Sequence, residues 1–389
     1  MRATSLDRAR SAVATAFVLN GLLFATLFSR VPDLRERLDL SNAALGLLLL
    51  SVSAGSLLGL PSSGRLVERY TAAGVCRGGQ VLVVVGLAVV ALGAAGLEAG
   101  FVVAAGLLCY GFGTAIWDVA MNVEGTEVER RLGRTILPRF HAGWSFGSIG
   151  GAGIGVIAVR LDVPLPVHLL VVAAVSALVL FWAVGAFLVT EEHPGEDVEP
   201  GRSVWLEPRT LAIGAMVLAF TLAEGSANDW LALALVDGYD ARQFVGIAGF
   251  GLFVCAMTTG RLLGPILLDR LGRVPVMLGS AFAATAGLLL VIVSGEPATA
   301  ALGIVVWGLG AALGFPVGLS AAADDPKGAA RRVSVVSTIG YGAFLSGPPL
   351  LGFVGNQVGT LHSLYVVVAA MVPAAVLVLA VRRPRVVAG

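Results

Sequence analysis

Charge is scarce in this chain. Asp, Glu, Lys and Arg make up 13% of its 389 residues, against 57% hydrophobic. A soluble domain carries roughly a quarter charged residues, so there are too few polar side chains to cover a globule in water. The formal net charge is +1, which leaves no one-sided Lys/Arg footprint and argues against nucleic acid as a partner. Cysteine is scarce too: Cys76, Cys109 and Cys255 stand singly in or beside apolar sequence. Disulfide frameworks and zinc sites both need paired spacings, which isolated cysteines do not provide. His168, His193 and His362 lie in or near loops without ligand spacing, so no metal and no cofactor are expected. The remaining polar residues are too dispersed for a nucleophile with its base, which argues against an enzyme.

Apolar length is what the chain has instead. A bilayer core of roughly 30 Å takes about 20 helical residues at about 1.5 Å each. Runs of that order lie at 12–30, 43–63, 80–97, 101–121, 140–159 and 166–188, then at 210–234, 244–267, 275–294, 298–323, 333–354 and 361–381. The pattern predicts an all-α membrane protein of twelve transmembrane helices, with a six-helix bundle over 1–190 and another over 210–389. Between them, 191–209 holds Glu191, Glu192, Glu196, Asp197 and Glu199 with Pro194, Pro200 and Gly201. Such a segment cannot bury a core and reads as a soluble linker. Arg2, Arg8 and Arg10 precede the first run, but Ser29-Arg30-Val31-Pro32 follows it in place of a small-x-small cleavage site. We read the run as a retained first helix.

An even number of spans puts both termini on one side. On that side fall twenty Lys and Arg residues, against five on the other, with Arg261 inside the eighth span. Basic loops stay in the cytoplasm, so both termini and the linker are expected there, in a bacterial inner membrane. Arg261, two turns from Asp269, is expected to snorkel toward the same side.

One phrase recurs after 201 residues: Gly59 to Arg69 reads GLPSSGRLVER and Gly260 to Arg270 reads GRLLGPILLDR. Both copies close the second span of their half, and Glu68-Arg69 aligns with Asp269-Arg270. Repeated six-helix halves are a transporter architecture with the substrate site near mid-depth. The phrase resembles the signature loop of the major facilitator superfamily, G-x-L-x-D-R-x-G-R. Gly64, Leu66, Glu68 and Arg69 match in the first copy, and Asp269, Arg270, Gly272 and Arg273 in the second. Glu68 replaces the usual Asp, Thr71 stands where the later Gly belongs, and Pro265 takes the first Gly position of the second copy. In that family the acid and Arg latch the cytoplasmic side shut, so the resemblance makes Gly64, Glu68, Arg69, Asp269, Arg270, Gly272 and Arg273 gating residues. Asp118-Val119-Ala120-Met121-Asn122, Arg139-Phe140-His141-Ala142-Gly143-Trp144 and Glu224-Gly225-Ser226-Ala227-Asn228-Asp229-Trp230 are similar to bacterial inner-membrane relatives of the fucose permeases.

Polar groups inside the spans carry the functional argument. A charge at mid-helix costs roughly 2.5 to 3.5 kcal/mol on insertion scales, so it implies a partner, a wet cavity or a function. Glu224 sits near the middle of the seventh span, with Asn228 four residues on along the same face. A carboxyl that can gain and lose a proton is what coupling to a proton gradient requires; the alternative is a neutral acid hydrogen-bonded across the bundle. Asp118, with Asn122 at i+4, is the nearest counterpart of an acid that the fucose permeases carry in their fourth helix. It lies close enough to Arg130, Arg131, Arg134 and Arg139 to be a structural ion pair instead. Those permeases also carry an acid in the first helix, where this chain offers the neutral Asn20. His141 beside Trp144 reads as an interfacial anchor or a gating switch, and Asp229 with Trp230 as a cap on the periplasmic side. Pro316 in the tenth span and Pro348-Pro349 in the eleventh are expected to kink their helices.

These readings predict a secondary transporter that moves a small polar solute, sugar-like or another metabolite, by alternating access with proton coupling. Its partners are the substrate, protons and the lipid bilayer, and it is expected to act as a monomer. The alternative is a drug or metabolite exporter of the same superfamily, although the fifth span lacks the Gly-Pro motif common in antiporters. A non-transporting sensor would need large soluble extensions beyond the short linker.

Overall fold

The computed structural model describes residues 2–40, 42–188, 203–241 and 243–383, so the expected linker lies outside the described residues as far as 202. Every regular element among the described residues is helical. In hydrocarbon the backbone must satisfy its own hydrogen bonds, and a helix does so within one segment.

The chain forms two compact units, one of Met1–Gly133 with Phe140–Pro200 and one of Gly201–Gly389 with Arg134–Arg139. The first holds α1 (Arg2–Phe28), a short α2 (Val31–Arg37), α3 (Asn42–Ala95), α4 (Gly100–Leu132), α5 (Leu137–Arg160) from Phe140 on, and α6 (Leu165–Ala183). The second holds α7 (Pro208–Ser226), a π-helical turn (Ala227–Leu231) and α8 (Ala232–Tyr239) in one run. It continues with α9 (Gln243–Leu271), α10 (Arg273–Val293), α11 (Pro297–Ala311), α12 (Gly314–Ala322), α13 (Ala329–Val358), α14 (Thr360–Ser363) and α15 (Tyr365–Leu377).

Among the described residues, ten helical runs have the length and apolarity to cross a bilayer. One of them, Leu47–Ala95, is 49 residues long and contains two crossings, because Thr71 leaves helical geometry at φ 64°, ψ 160°. The more polar α13 supplies another, which completes the twelve. The tenth span breaks as its proline requires: α11 stops at Ala311 and α12 starts at Gly314, two residues before Pro316. The eleventh span is one helix, α13, with Pro348 and Pro349 inside it.

Small residues set the helix spacing. A Cβ on Gly86 of α3 would come within 2.7 Å of the Gly106 carbonyl of α4, and one on Gly106 within 2.8 Å of the Gly86 carbonyl. Gly287 of α10 and Gly303 of α11 face each other in the same way, at 2.6 and 2.8 Å. Gly86 and Gly287 are 201 residues apart, so each unit uses the same close backbone packing. Bulky apolar side chains point outward in both units, among them Phe101 (80% exposed), Trp182 (85%) and Phe282 (76%). Such side chains are stable outward only against lipid or a partner.

Candidate functional site

In the second unit Glu224 lies on α7, three residues before the π turn begins. Its carboxylate accepts from Nη2 of Arg261 on α9 at both oxygens, at 3.0 and 2.9 Å. Arg261 is 4% exposed and its Nε donates to the Ala312 carbonyl at 3.4 Å. The guanidinium therefore joins α7 to the break between α11 and α12. Local sequence makes this reach possible. Gly260 brings α9 so close that a Cβ there would lie 2.6 Å from the Ala312 Cβ. Pro316 has no amide hydrogen, so it cannot give Ala312 the bond that a residue four positions on normally donates.

This arrangement corrects the expectation that Arg261 snorkels to the bundle end. An inward Arg is stable when a carboxylate neutralises it and a carbonyl takes another of its donors, and α9 packs so that both are in reach. It also changes the expected face of Asn228. The π turn over Ala227–Leu231 interrupts the α-helical period, and Asn228 and Asp229 within it are exposed. Trp230 packs its ring 3.4 Å from the Cβ position of Gly352 on α13. Single π turns inside α-helices are frequent at functional sites.

The first unit gathers the other predicted residues into two neighbouring contacts. Asn122 on α4 donates from Nδ2 to the backbone carbonyl of Asp118 at 2.9 Å, and its Oδ1 lies 3.1 Å from His141 Nε2 on α5. Asp118, Asn122 and His141 are all buried. The His141 ring meets Phe17 of α1 edge-on at 5.0 Å. One turn along α5, Trp144 Nε1 donates to Asn20 Oδ1 on α1 at 2.9 Å, with Phe24 against the indole at 5.4 Å. Asn20 is 4% exposed, and its Nδ2 has no protein hydrogen-bond partner.

The repeated loop residues stand where the two copies predict, at the ends of paired helices. Glu68, Arg69, Asp269, Arg270 and Gly272 are exposed, while Gly64 is buried. Arg69 lies over the Tyr70 ring at 5.4 Å. In the second unit Asp269 accepts the Thr135 amide at 2.8 Å. Arg273 turns to an acid outside the motif: Nη1 reaches Asp324 at 2.6 Å and Nη2 reaches Ser320 at 2.7 Å. Arg209 takes the other Asp324 oxygen, also at 2.6 Å.

Sequence reading missed Arg261 as a partner, Asp324, and two further buried groups. Glu124 is 2% exposed and accepts the Leu188 amide at 2.5 Å. Arg30 is 3% exposed, pairs with Asp33 at 2.8 Å and donates to the Val163 carbonyl at 3.1 Å. Of these, only Arg261, a charge inside an apolar span, stood out in the sequence, and its inward direction did not.

The chain matches the sequence profile of the Major Facilitator Superfamily over residues 13–333 and 250–388. It is 32% identical over 348 residues to the uncharacterised transporter y4wD of Sinorhizobium fredii, covering 88% of this chain and 90% of that one. It is 31% identical over 342 residues to an uncharacterised MFS-type transporter of Yersinia pestis, covering 88% and 87%. Among solved structures, the transporter FucP in its outward conformation superposes with a TM-score of 0.80 at 13% identity, covering 96% of this chain and 98% of that one. The proton:xylose symporter XylE superposes at 0.73 with the same identity of 13%, covering 97% and 95%.

Proposed function

Because the chain belongs to the major facilitator superfamily and is a multi-pass membrane transporter, we propose that it moves a small polar solute in step with a proton bound by Glu224. The observation that carries this reading is the Glu224–Arg261 pair, held at 2.9 Å with the arginine buried between helices. Protonating Glu224 removes one charge and weakens two charge-assisted hydrogen bonds together. A carboxyl whose protonation changes helix contacts can couple a proton gradient to a conformational change. Asp118, with Asn122 and His141, is the second proton-handling candidate.

The solute side of the proposal rests on Asn20 and Trp144. A buried amide donor without a protein partner, beside an indole, suits a hydroxyl-rich ligand that hydrogen-bonds at its edge and stacks on its face. The alternating-access step is rocking of repeated halves about a central site. The arginine asymmetry supports cytoplasmic termini in a bacterial inner membrane, and the protein is expected to act as a monomer. The solved relatives FucP and XylE are described as fucose:proton and proton:xylose symporters; at their low identity they lend the fold, and the coupling rests on Glu224.

The test begins with a thermal-shift screen of monosaccharides and polyols, since a ligand bound only by the folded state raises its stability. The hit is then used in proteoliposomes with a pH-sensitive dye. Glu224→Gln is expected to abolish substrate-driven proton flux while the protein remains folded. Undiminished flux in that variant rules out the proposed role of Glu224.

A further inference from the structure

The break between α11 and α12 and the Glu224 carboxylate share one guanidinium. We infer that Arg261 is a positioning residue that transmits the protonation state of Glu224 to the hinge at Ala312–Pro316. The inference rests on the proton-coupling reading of Glu224 and adds the element that responds.

Three features of the second unit support it. First, Arg261 divides its donors between helices: Nη2 serves both Glu224 oxygens at 2.9 and 3.0 Å, and Nε serves the Ala312 carbonyl at 3.4 Å. Second, the carbonyl it serves is one that Pro316 leaves without its usual helical donor. Leu313 there departs from helical values at φ −105°, ψ −12°. Third, the hinge is held by contact on both sides. Leu313 packs against the Gly264 position of α9, and Gly314 lies directly against the Phe220 side chain of α7. A small rotation of α9 or α7 therefore reaches the hinge without an intervening side chain.

The electrostatic setting isolates the pair. On α7 the only other charge is Arg209 in the first turn, and the π turn adds the exposed Asp229. α9 offers Cys255 before Arg261 and Asp269 with Arg270 two turns beyond it. α10 offers Arg273 at its start, and α11 and α12 hold no charged residue. On α13 the charges Arg331 and Arg332 stand in the first turn, followed by Tyr341, whose ring meets Phe315 at 5.5 Å. With Glu224 ionised, the guanidinium is held toward α7 with its Nε on Ala312. Once Glu224 is protonated, the carboxyl no longer draws Arg261, and the hinge carbonyl loses a donor fixed in place.

Hydrogen exchange of the full-length chain in nanodiscs reads this directly, on peptides covering 309–320 and corrected for intrinsic rates. Glu224→Gln, which mimics the protonated acid, is expected to raise exchange at the hinge by at least about fivefold, the lower end of usual site-to-site coupling. Pro316→Ala returns an amide hydrogen to the Ala312 carbonyl. The Glu224→Gln response is expected to disappear in that background, which a merely structural arginine would not produce. Should Glu224→Gln fail to fold, Arg261→Lys, whose single side-chain nitrogen cannot serve Glu224 and the Ala312 carbonyl together, is compared in the wild-type and Pro316→Ala backgrounds, with raised hinge exchange expected only in the first. Hinge exchange that ignores these variants, or a response that survives Pro316→Ala, overturns the inference. Proton flux is measured separately, so loss of flux with an unlinked hinge rejects the relay while leaving Glu224 as the coupling acid. A linked hinge with undiminished flux rejects the coupling role alone.

Discussion

Thr71 and Gly272, 201 residues apart, adopt the same rare backbone conformation, with φ 64°, ψ 160° in one and φ 83°, ψ 168° in the other. Both stand at the later glycine position of the repeated loop, where the chain turns from one crossing into the next. That region of backbone space is essentially reserved for glycine. The first copy therefore keeps the turn without the residue that suits it. Thr71 compensates in part, because its Oγ1 accepts the Gly74 amide at 3.2 Å and caps the following helix.

Thr71→Gly is accordingly expected to stabilise the protein. Relief of the strained backbone contributes about 1 to 3 kcal/mol, and replacing a Thr cap by Gly costs only a few tenths. Gly272→Ala should do the reverse and cost about 1 kcal/mol or more. Nothing lies within 4 Å of the Cβ position at Gly272, so that cost is backbone strain alone. Thermal unfolding in detergent should move the two variants in opposite directions; a shift of the same sign in both would reject the shared constraint.

Much of this was legible in the sequence, and the reasons are physical. The 201-residue shift is visible because a tight turn between spans restricts residue type in both copies. Glu224 is visible because an acid stands out in apolar text. Its partner was not, since the rotation of α9 decides whether Arg261 faces inward, and 37 residues separate the two. Pro316 announced a break in the tenth span, but not that an arginine side chain would meet the carbonyl it leaves. The burial of Arg30 and its pairing with Asp33 were not legible, because burial at a bundle end comes from other helices, not from local composition.

Arg30 and Asp33 lead to a second prediction. Arg30 is 3% exposed, so removing its partner leaves a buried charge. Asp33→Asn is expected to lower stability by about 2 to 4 kcal/mol, in line with broken buried pairs. A double replacement by Met at Arg30 and Leu at Asp33 should recover much of that loss, because it removes both charges together. Unfolding temperatures of the two variants check this. A double variant less stable than Asp33→Asn counts against a buried-charge origin.

Glu207 stands just outside the seventh span and gives a pH dependence. Burial pushes its carboxyl up, but hydrogen bonds from Arg332 and Thr210, both at 2.8 Å, and the nearby arginine charges outweigh burial and hold it below its ordinary value. The sign follows from linkage. A carboxyl lowered in the folded state contributes stability above its unfolded value of about 4.3, and loses it as pH falls through the folded value. Glu207→Gln is thus expected to reduce stability at neutral pH and to flatten the acid limb below about pH 4. Melting curves from pH 3 to pH 7 provide the check, and an unchanged acid limb would reject the assignment.

The last prediction separates the two acids near the second loop. Arg273, the motif's final arginine, pairs not with Asp269 but with Asp324 at 2.6 Å, and Asp324 also takes Arg209 at 2.6 Å. Its side chain is 11% exposed, whereas Asp269 is exposed and accepts one backbone amide. Solvent screens an exposed acid, but a mostly buried one holding two guanidinium groups is not replaced by water when it is lost. Asp324→Asn should therefore cost about 2 to 3 kcal/mol, and Asp269→Asn less than about 1 kcal/mol. Because α10 begins at Arg273 and α12 ends at Ala322, losing Asp324 unties the start of one helix from the end of another. Hydrogen exchange should rise at both ends in Asp324→Asn and at neither in Asp269→Asn. Equal effects from the two variants would mean that the motif acid, and not Asp324, anchors this end of the unit.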